Sequence, residues 1–367
     1  MHIFSLINKA HTVIKREAGK DRSAVFFDTR ETGTYVTAAH NGSLYATVQW
    51  TGESVLPDED GLGHDFLDMD FVRDAAKTTY REFDEDDRLS MFAEDTDELR
   101  IIASAVEDIS YEPLDRVHSL EGTELFPPLT KSKGIKKQLT SRSNLQQAYV
   151  CGELQCFTTG HWLVQRTVGP NVGNIPFTVL EIMQAWSGKV EWIYMTSSES
   201  DMRFHGICCE GGLVTLSYYN LREKGPAVSA IQKEFSPLSF FRIEADELFR
   251  FVSKIGKSFG QEDMIYFKYR EEKGAELFLS KTVTTPENEE VKFKKHTQVK
   301  YELIDNDDHV KDGYFEFAVK AIYLATCLSA VGELIEFNIP VSPDGSGLKA
   351  CTLIGEDADA LIMPKRL

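Results

Sequence analysis

The sequence predicts an α+β chain of three similar modules, each with two helices packed on antiparallel strands. Three observations lead there. At 367 residues the chain is too long for one core and suits two or three domains. A plan of helix, strands, helix, strands recurs three times along it. The first helix of each recurrence carries a basic face, in a chain with 58 acids against 40 lysines and arginines. On this plan the modules are residues 1–118, 119–237 and 238–367, about 120 residues each.

In the first module Leu6 to Ala18 has apolar residues at Leu6, Ile7, Ala10, Val13 and Ile14, a helical stripe with Lys9, Lys15 and Arg16 off it. Strands are expected over Ala24 to Thr29, Thr34 to Ala39 and Leu44 to Trp50, the last two joined by the hairpin signal His40-Asn41-Gly42-Ser43. A second helix, Met69 to Thr78, places Phe71, Val72, Ala75 and Ala76 inward, with Arg73 and Lys77 one turn apart. Strands over Leu89 to Ala93 and Leu99 to Ala105 are expected to close the module.

The middle module opens with a lysine-rich helix over Leu129 to Thr140, weakened by Gly134 by about 1 kcal/mol. Strands follow over Gln147 to Val150, Leu154 to Phe157 and Trp162 to Val168. A helix from Phe177 to Trp186 comes next, then strands over Val190 to Thr196, Met202 to Cys208 and Leu213 to Tyr219. The last module starts with a helix over Glu244 to Ile255, with Leu248, Phe249, Val252 and Ile255 inward and Arg250 and Lys254 on another face. Strands are expected over Met264 to Tyr269 and Glu276 to Thr282, a polar loop over Pro286 to Glu290, and a strand over Thr297 to Leu303. A helix over Phe317 to Ala330 precedes strands over Leu334 to Ile339 and Leu348 to Ile354 and one terminal strand.

Composition narrows the function classes. No apolar run approaches the ~20 residues that span a bilayer, and Met1-His2-Ile3-Phe4 lacks a basic region followed by an apolar one, so no membrane partner and a cytoplasmic location are expected. Cysteines at 151, 156, 208, 209, 327 and 351 form no CxxC pair and have no histidine at ligand spacing, which favours structural thiols over zinc or redox chemistry. A net charge of -18 argues against a protein that coats DNA through a basic surface. It does not exclude a ring that encloses DNA and segregates its cations onto the elements lining the hole.

Two short segments carry a family resemblance. The chain ends in a strand running into Leu361-Ile362-Met363-Pro364-Lys365-Arg366-Leu367, and Phe157-Thr158-Thr159-Gly160-His161-Trp162-Leu163 opens a strand in the middle module. The first resembles the carboxyl end of bacterial sliding clamps, the β subunit of the replicative DNA polymerase. The second resembles that family's Ala-Thr-Asp-Gly-His-Arg-Leu stretch. The resemblance covers the whole plan of the chain. It implies a head-to-tail homodimeric ring of clamp domains, with helices lining a central hole and sheets outside. Duplex DNA is then enclosed without sequence readout, and the chain is a non-catalytic processivity factor with no cofactor and no metal.

In that family the two segments meet near the junction of the second and third domains, in a pocket for Gln-Leu-x-Leu-Phe peptides of polymerases, the clamp loader and repair proteins. Carried over residue by residue, the resemblance places Thr158, Gly160, His161, Trp162 and Leu163 in the pocket, with Leu361, Met363, Pro364, Lys365, Arg366 and Leu367 from the chain end. Gly225 to Ile231 stands where the family has Phe-Pro-Asp-Tyr-Arg-Arg-Val, which puts Pro226 and Ile231 at the rim; Val341 comes from the loop before the penultimate strand. An apolar slot with few polar contacts suits a peptide with two apolar anchors. Lys20 and Arg22 stand in the family's basic loop after the first helix, and Arg73, Lys77, Lys131, Lys133, Lys136, Lys137 and Lys254 are the other candidates for the DNA-facing surface. The chain departs from the pattern at Thr159, Trp162 and Lys365, and Ala321 aligns with a tyrosine. These departures suit a phage, plasmid or accessory clamp with its own partners.

Two other readings compete. A clamp-like scaffold or decoy could bind the same peptides without encircling DNA. A metal-dependent nuclease would need converging carboxylates, whereas Asp58-Glu59-Asp60 and Glu85-Asp86-Asp87 read as solvated turns, and the sequence has no nucleotide-binding glycine loop, nucleophile elbow or HExxH.

Overall fold

The computed structural model describes residues 3–18, 22–30, 33–40, 43–50, 63–77, 90–94, 96–106, 109–120, 147–151, 154–167, 174–219, 239–255, 263–284, 289–304, 310, 313–341, 349–356 and 358–364. In chain order the elements begin with α1 (Ile3–Ala18), β1 (Ser23–Arg30), β2 (Gly33–His40), β3 (Leu44–Gln49), β4 (Gly63–Phe66), α2 (Met69–Ala75), α3 (Asp97–Val106) and β5 (Arg116–Ser119). Next come β6 (Gln147–Cys151), β7 (Leu154–Thr158), β8 (Trp162–Thr167), β9 (Ile175–Pro176), α4 (Phe177–Ala185), β10 (Val190–Ser197), β11 (Asp201–Cys208) and β12 (Leu213–Tyr219). The last are β13 (Ser239–Ile243), α5 (Ala245–Ile255), β14 (Met264–Arg270), β15 (Gly274–Thr284), β16 (Glu289–Val299), β17 (Tyr301–Ile304), β18 (Tyr314–Lys320), α6 (Ala321–Leu328), β19 (Leu334–Val341), β20 (Cys351–Gly355) and β21 (Asp359–Ile362).

The chain forms two compact units, one of Met1–Glu124 with Val172–Glu223 and one of Leu125–Asn171 with Lys224–Leu367. In the first, antiparallel strands run β4-β1-β2-β3-β12-β11-β10-β5. The apolar stripe of α1 lies on the face of this sheet that carries Phe27: Phe4 packs edge-on against Phe27 and Phe71, with ring centroids at 6.3 and 5.6 Å. Trp186, just past α4, donates its indole N–H to the Leu6 carbonyl at 2.9 Å and pins α4 to α1. The opposite face, through Ala24, Phe26, Ala39 and Tyr45, packs against Ile102 and Val106 of α3 and Ile109. Burying a Phe, Ile or Val side chain here contributes roughly 1.5–3 kcal/mol.

In the second unit one sheet runs β17-β13-β19-β20-β21-β8-β7-β6 and another runs β16-β15-β14-β18. Phe241 of β13 joins their cores, with ring centroids 5.1 Å from Phe267, 5.0 Å from Tyr269 and 5.1 Å from Phe315. Helix α6 packs on β8 and β21, which fixes the geometry of the site described below.

Several expectations need correction. Leu99 to Ala105 is helix α3, not a strand: Thr96 caps it by accepting from the Leu99 N–H at 3.3 Å, Asp97 and Glu98 occupy the first turn, and Ile102 and Val106 repeat at helical spacing. Of the strand expected over Leu89 to Ala93, Phe92 forms an isolated bridge to Leu67. The helix expected from Phe317 starts at Ala321, because Tyr314–Lys320 alternates in burial and pairs with β14 along its length. The strand expected over Thr297 to Leu303 is two, β16 and β17, and β16 already begins at Glu289, inside the expected loop. Strands β4, β5, β9 and β13 were not anticipated. The lysine-rich helix expected over Leu129 to Thr140 lies outside the described residues. No helix among the described residues is long and apolar enough to cross a membrane.

Candidate peptide-binding site

The two family-like segments lie side by side in the second unit. Strands β7 and β8 form a hairpin whose tip is Thr159-Gly160-His161. Gly160 sits at φ +83°, a left-handed conformation that costs a residue with a side chain about 1–2 kcal/mol. The Thr158 hydroxyl accepts the Gly160 N–H at 2.9 Å and donates to the Trp162 carbonyl at 2.7 Å, while the Thr159 N–H donates to the same carbonyl at 3.2 Å. These bonds satisfy the tip internally and leave the His161 ring outside it.

The terminal strand pairs with this hairpin, in antiparallel register Trp162↔Ile362, Leu163↔Leu361, Val164↔Ala360 and Gln165↔Asp359. The Met363 N–H extends the ladder by donating to the His161 carbonyl at 2.8 Å. Side chains alternate across such a ladder, so Thr158, Leu163 and Leu361 share one face and Trp162 and Ile362 the other. On the first face Leu163 packs with Tyr149 and Cys156, and the half-buried Leu361 packs against that cluster. Met363 follows Leu361 by two residues and is 42% exposed. Trp162, only 2% exposed, points into the core and braces the hairpin from beneath.

The third wall is α6. Tyr323 lies over His161 in a parallel stack, with ring centroids 5.6 Å apart and planes 9° apart. Lys320 holds its ammonium 5.9 Å from the Tyr323 ring centroid. Ala321, expected to stand in place of the family's tyrosine, is buried, and Tyr323 two residues on faces the hairpin tip. Reading the helix from Phe317 hid it; a start at Ala321 puts the half-buried Tyr323 in the first turn. Tyr149 and Cys156 were also missed, and period-two alternation from Leu163 across β7 and β6 would have found them.

Other expected residues are less close. Val341 is buried at the end of β19, which β20 separates from β21; β19 and β21 run in the same direction, so Val341 lies at the Met363 end of the sheet. Pro364 is half-buried beyond Met363. Pro226, Ile231, Lys365, Arg366 and Leu367 lie outside the described residues.

Of the DNA-facing candidates, Arg22 is exposed beside β1. Arg73 and Lys77 are exposed on and just past α2, each bound to an aspartate three residues earlier, Arg73 to Asp70 and Lys77 to Asp74 at 2.7 Å. Such exposed pairs are worth at most about 1 kcal/mol and exchange readily for other anions. Lys15 and Arg73 also flank the buried His11, whose pKa is lowered to about 4, by burial first and then by Lys15. Lys20, Lys131, Lys133, Lys136 and Lys137, and the side chain of Lys254, fall outside what is described. Among the described residues no group of three or more His, Cys, Asp or Glu side chains could hold a metal ion, and burial raises the thiol pKa of Cys327 and Cys351.

Neither any family model nor any curated protein matches this sequence. Solved structures match it over its whole length. The DNA polymerase III subunit beta from Pseudomonas aeruginosa superposes with a TM-score of 0.61, at 13% identity and 100% coverage of both chains. A sliding clamp from Bartonella birtlesii bound to griselimycin gives 0.64 at 13% identity, covering 99% of this chain and 97% of that one. The same subunit from Borrelia burgdorferi, in complex with a natural product, gives 0.61 at 12% identity, covering 100% and 97%. The chain has the sliding-clamp fold. Within that fold the β7–β8 hairpin and the terminal strand join in one ladder, as the sequence resemblance implies they should.

Proposed function

We propose that the chain is a DNA sliding clamp, a processivity factor that encircles duplex DNA and tethers a polymerase, its loader and repair proteins without catalysing a reaction. In this reading three modules per chain, bounded near residues 118 and 237, close head to tail with a second copy into a ring in the cytoplasm. The observation that carries the reading is the ladder from Trp162–Gln165 to Asp359–Ile362, closed by the Met363 bond to His161. It joins two segments far apart in sequence and leaves the half-buried Leu361 and the exposed Met363 near the His161–Tyr323 stack, apolar and aromatic groups of the kind a peptide with apolar anchors needs.

Lysines and arginines at 20, 22, 73, 77, 131, 133, 136, 137 and 254 would face the enclosed duplex, contacting phosphates without reading bases. Binding to linear duplex is then weak, sequence-independent and steeply reduced by salt. Two measurements test the proposal. Small-angle scattering with light scattering should give a closed ring of twice the chain mass, and a compact monomer at working concentration would overturn encirclement. Loaded on a nicked circle with a cognate polymerase, the protein should lengthen the products, then slide off once the circle is cut.

A further inference from the structure

We propose that residues 110–119 form a strap that fastens the sheet of the first unit across a seam and releases as one piece while the sheet stays folded. The seam comes from chain order. Strands β1–β3 lie within Ser23–Gln49 and strands β10–β12 within Val190–Tyr219, and the two sets meet where β3 pairs with β12, from Leu44↔Tyr218 to Val48↔Val214. The strap crosses that line. On one side the Tyr111 hydroxyl donates to Asp28 of β1 at 2.5 Å and lies 3.1 Å from the Thr37 hydroxyl of β2, with its ring centroid 4.4 Å from that of Tyr35. The Tyr45 hydroxyl of β3 donates to the Ser110 carbonyl at 2.5 Å. On the other side Arg203 of β11 donates to the Glu112 carbonyl, and β5 then pairs with β10.

The face on which the strap lies is polar, which keeps the cost of release low. Thr37, Thr47, Thr215, Ser217, Arg203 and His205 share this face through cross-strand pairing, and all six are buried. The Arg203 Nε is buried without a hydrogen-bond partner among the described residues, so release returns to water a group that its bond to Glu112 satisfies only in part. Next to it on the same face lies the apolar cluster of Phe26, Ala39 and Ile102 under α3, where separation would bare hydrophobic surface instead. The end of the strap buries little: Arg116, Val117 and Ser119 are exposed, Val117 to 65%. Few apolar contacts over a polar bed mark the part of a domain that opens below global unfolding.

Native-state hydrogen exchange on the full chain, followed at rising sub-denaturing urea, tests this. In the wild type the amides of β5 should exchange at least about tenfold faster than those of β1, β2 and β11, with little dependence on urea. Tyr111→Phe removes the bond to Asp28 at the far end of the strap, and should speed exchange in β5 by a further factor of about ten while β1 and β2 keep their protection. Simple fraying of an edge strand would not respond to a change anchored on β1 and β2, so this remote effect is what distinguishes a strap. The inference is overturned if β5 exchanges only with the whole sheet, at the same rate and urea dependence as β11. It is equally overturned if Tyr111→Phe leaves β5 unchanged or speeds every strand of the unit alike.

Discussion

The two units each hold a notable histidine, and they place it in opposite ways. In the first unit the polar chemistry is inside. His11, on α1, is 4% exposed, and His205 is buried on β11, bonded through Nε2 to the Thr196 hydroxyl at 3.0 Å and stacked on Tyr194. Asp28 is buried too, accepting from Tyr111 at 2.5 Å and Arg30 at 2.7 Å. Both faces of this sheet are engaged, one by α1 and the other by α3, so its polar groups serve the fold. In the second unit the notable histidine is outside: His161 is exposed at a hairpin tip, held by backbone bonds and a tyrosine. Buried polar groups specify and stiffen a unit, whereas an exposed ring held on a rigid hairpin beside apolar side chains is available to the peptide that the proposed function calls for.

The largest effect that would sharpen this contrast is Trp162→Arg. With the indole 2% exposed, arginine would bury an unpaired charge in the second unit at a cost of about 3–5 kcal/mol. Hydrogen exchange should show lost protection in β7, β8 and β21 and none in β1–β3; protection unchanged in both units would mean the site tolerates a charge at that position.

Acid should act the other way round. The pKa values of His11 and His205 are lowered to about 4, by burial first, against 6.5 when unfolded. On acidification the unfolded chain takes up these protons first. Their contribution is therefore complete above about pH 6.5 and is lost as pH falls toward 4, by up to ~2–3 kcal/mol each. Denaturant melts across that window should destabilise the first unit more steeply than the second, and His11→Leu should flatten the slope. An identical pH dependence in the two units would contradict this account.

Removing Met363 to Leu367 probes the site itself. These residues follow the last core strand, so the fold should persist while Gln-Leu-x-Leu-Phe peptide affinity falls by about 2 kcal/mol or more, which calorimetry would read directly. Gly160→Ala is smaller: the positive φ should cost about 1–2 kcal/mol and loosen the hairpin, lowering peptide affinity without changing the oligomeric state or DNA behaviour. Smallest in stability is reversal of Arg73 and Lys77 to glutamate, under about 0.5 kcal/mol each, since both pairs are exposed. Its signature would be a shallower salt dependence of DNA retention, with peptide binding untouched.

The sequence alone determined what is local. Alternation located β1–β3, β6–β8, β10–β12 and β19–β21 to within a few residues, and the apolar stripes located α1, α2, α4 and α5, because strand and helix periods are written in neighbouring side chains. It failed where two periods compete over a short run. Ile101-Ile102 in α3 suits either period, and the Thr96 cap with Asp97 and Glu98 decided for helix. Phe240-Phe241 broke the alternation that would have marked β13, and Phe315, Phe317 and Val319 resembled a helix start until their pairing with β14 made them a strand. The tertiary structure alone decided what meets what: Met363 with His161, Tyr323 over that ring, and α3 covering the second face of a sheet. Those contacts depend on register and packing between segments distant in sequence, and side-chain period within a segment carries no information about which distant face will bury it.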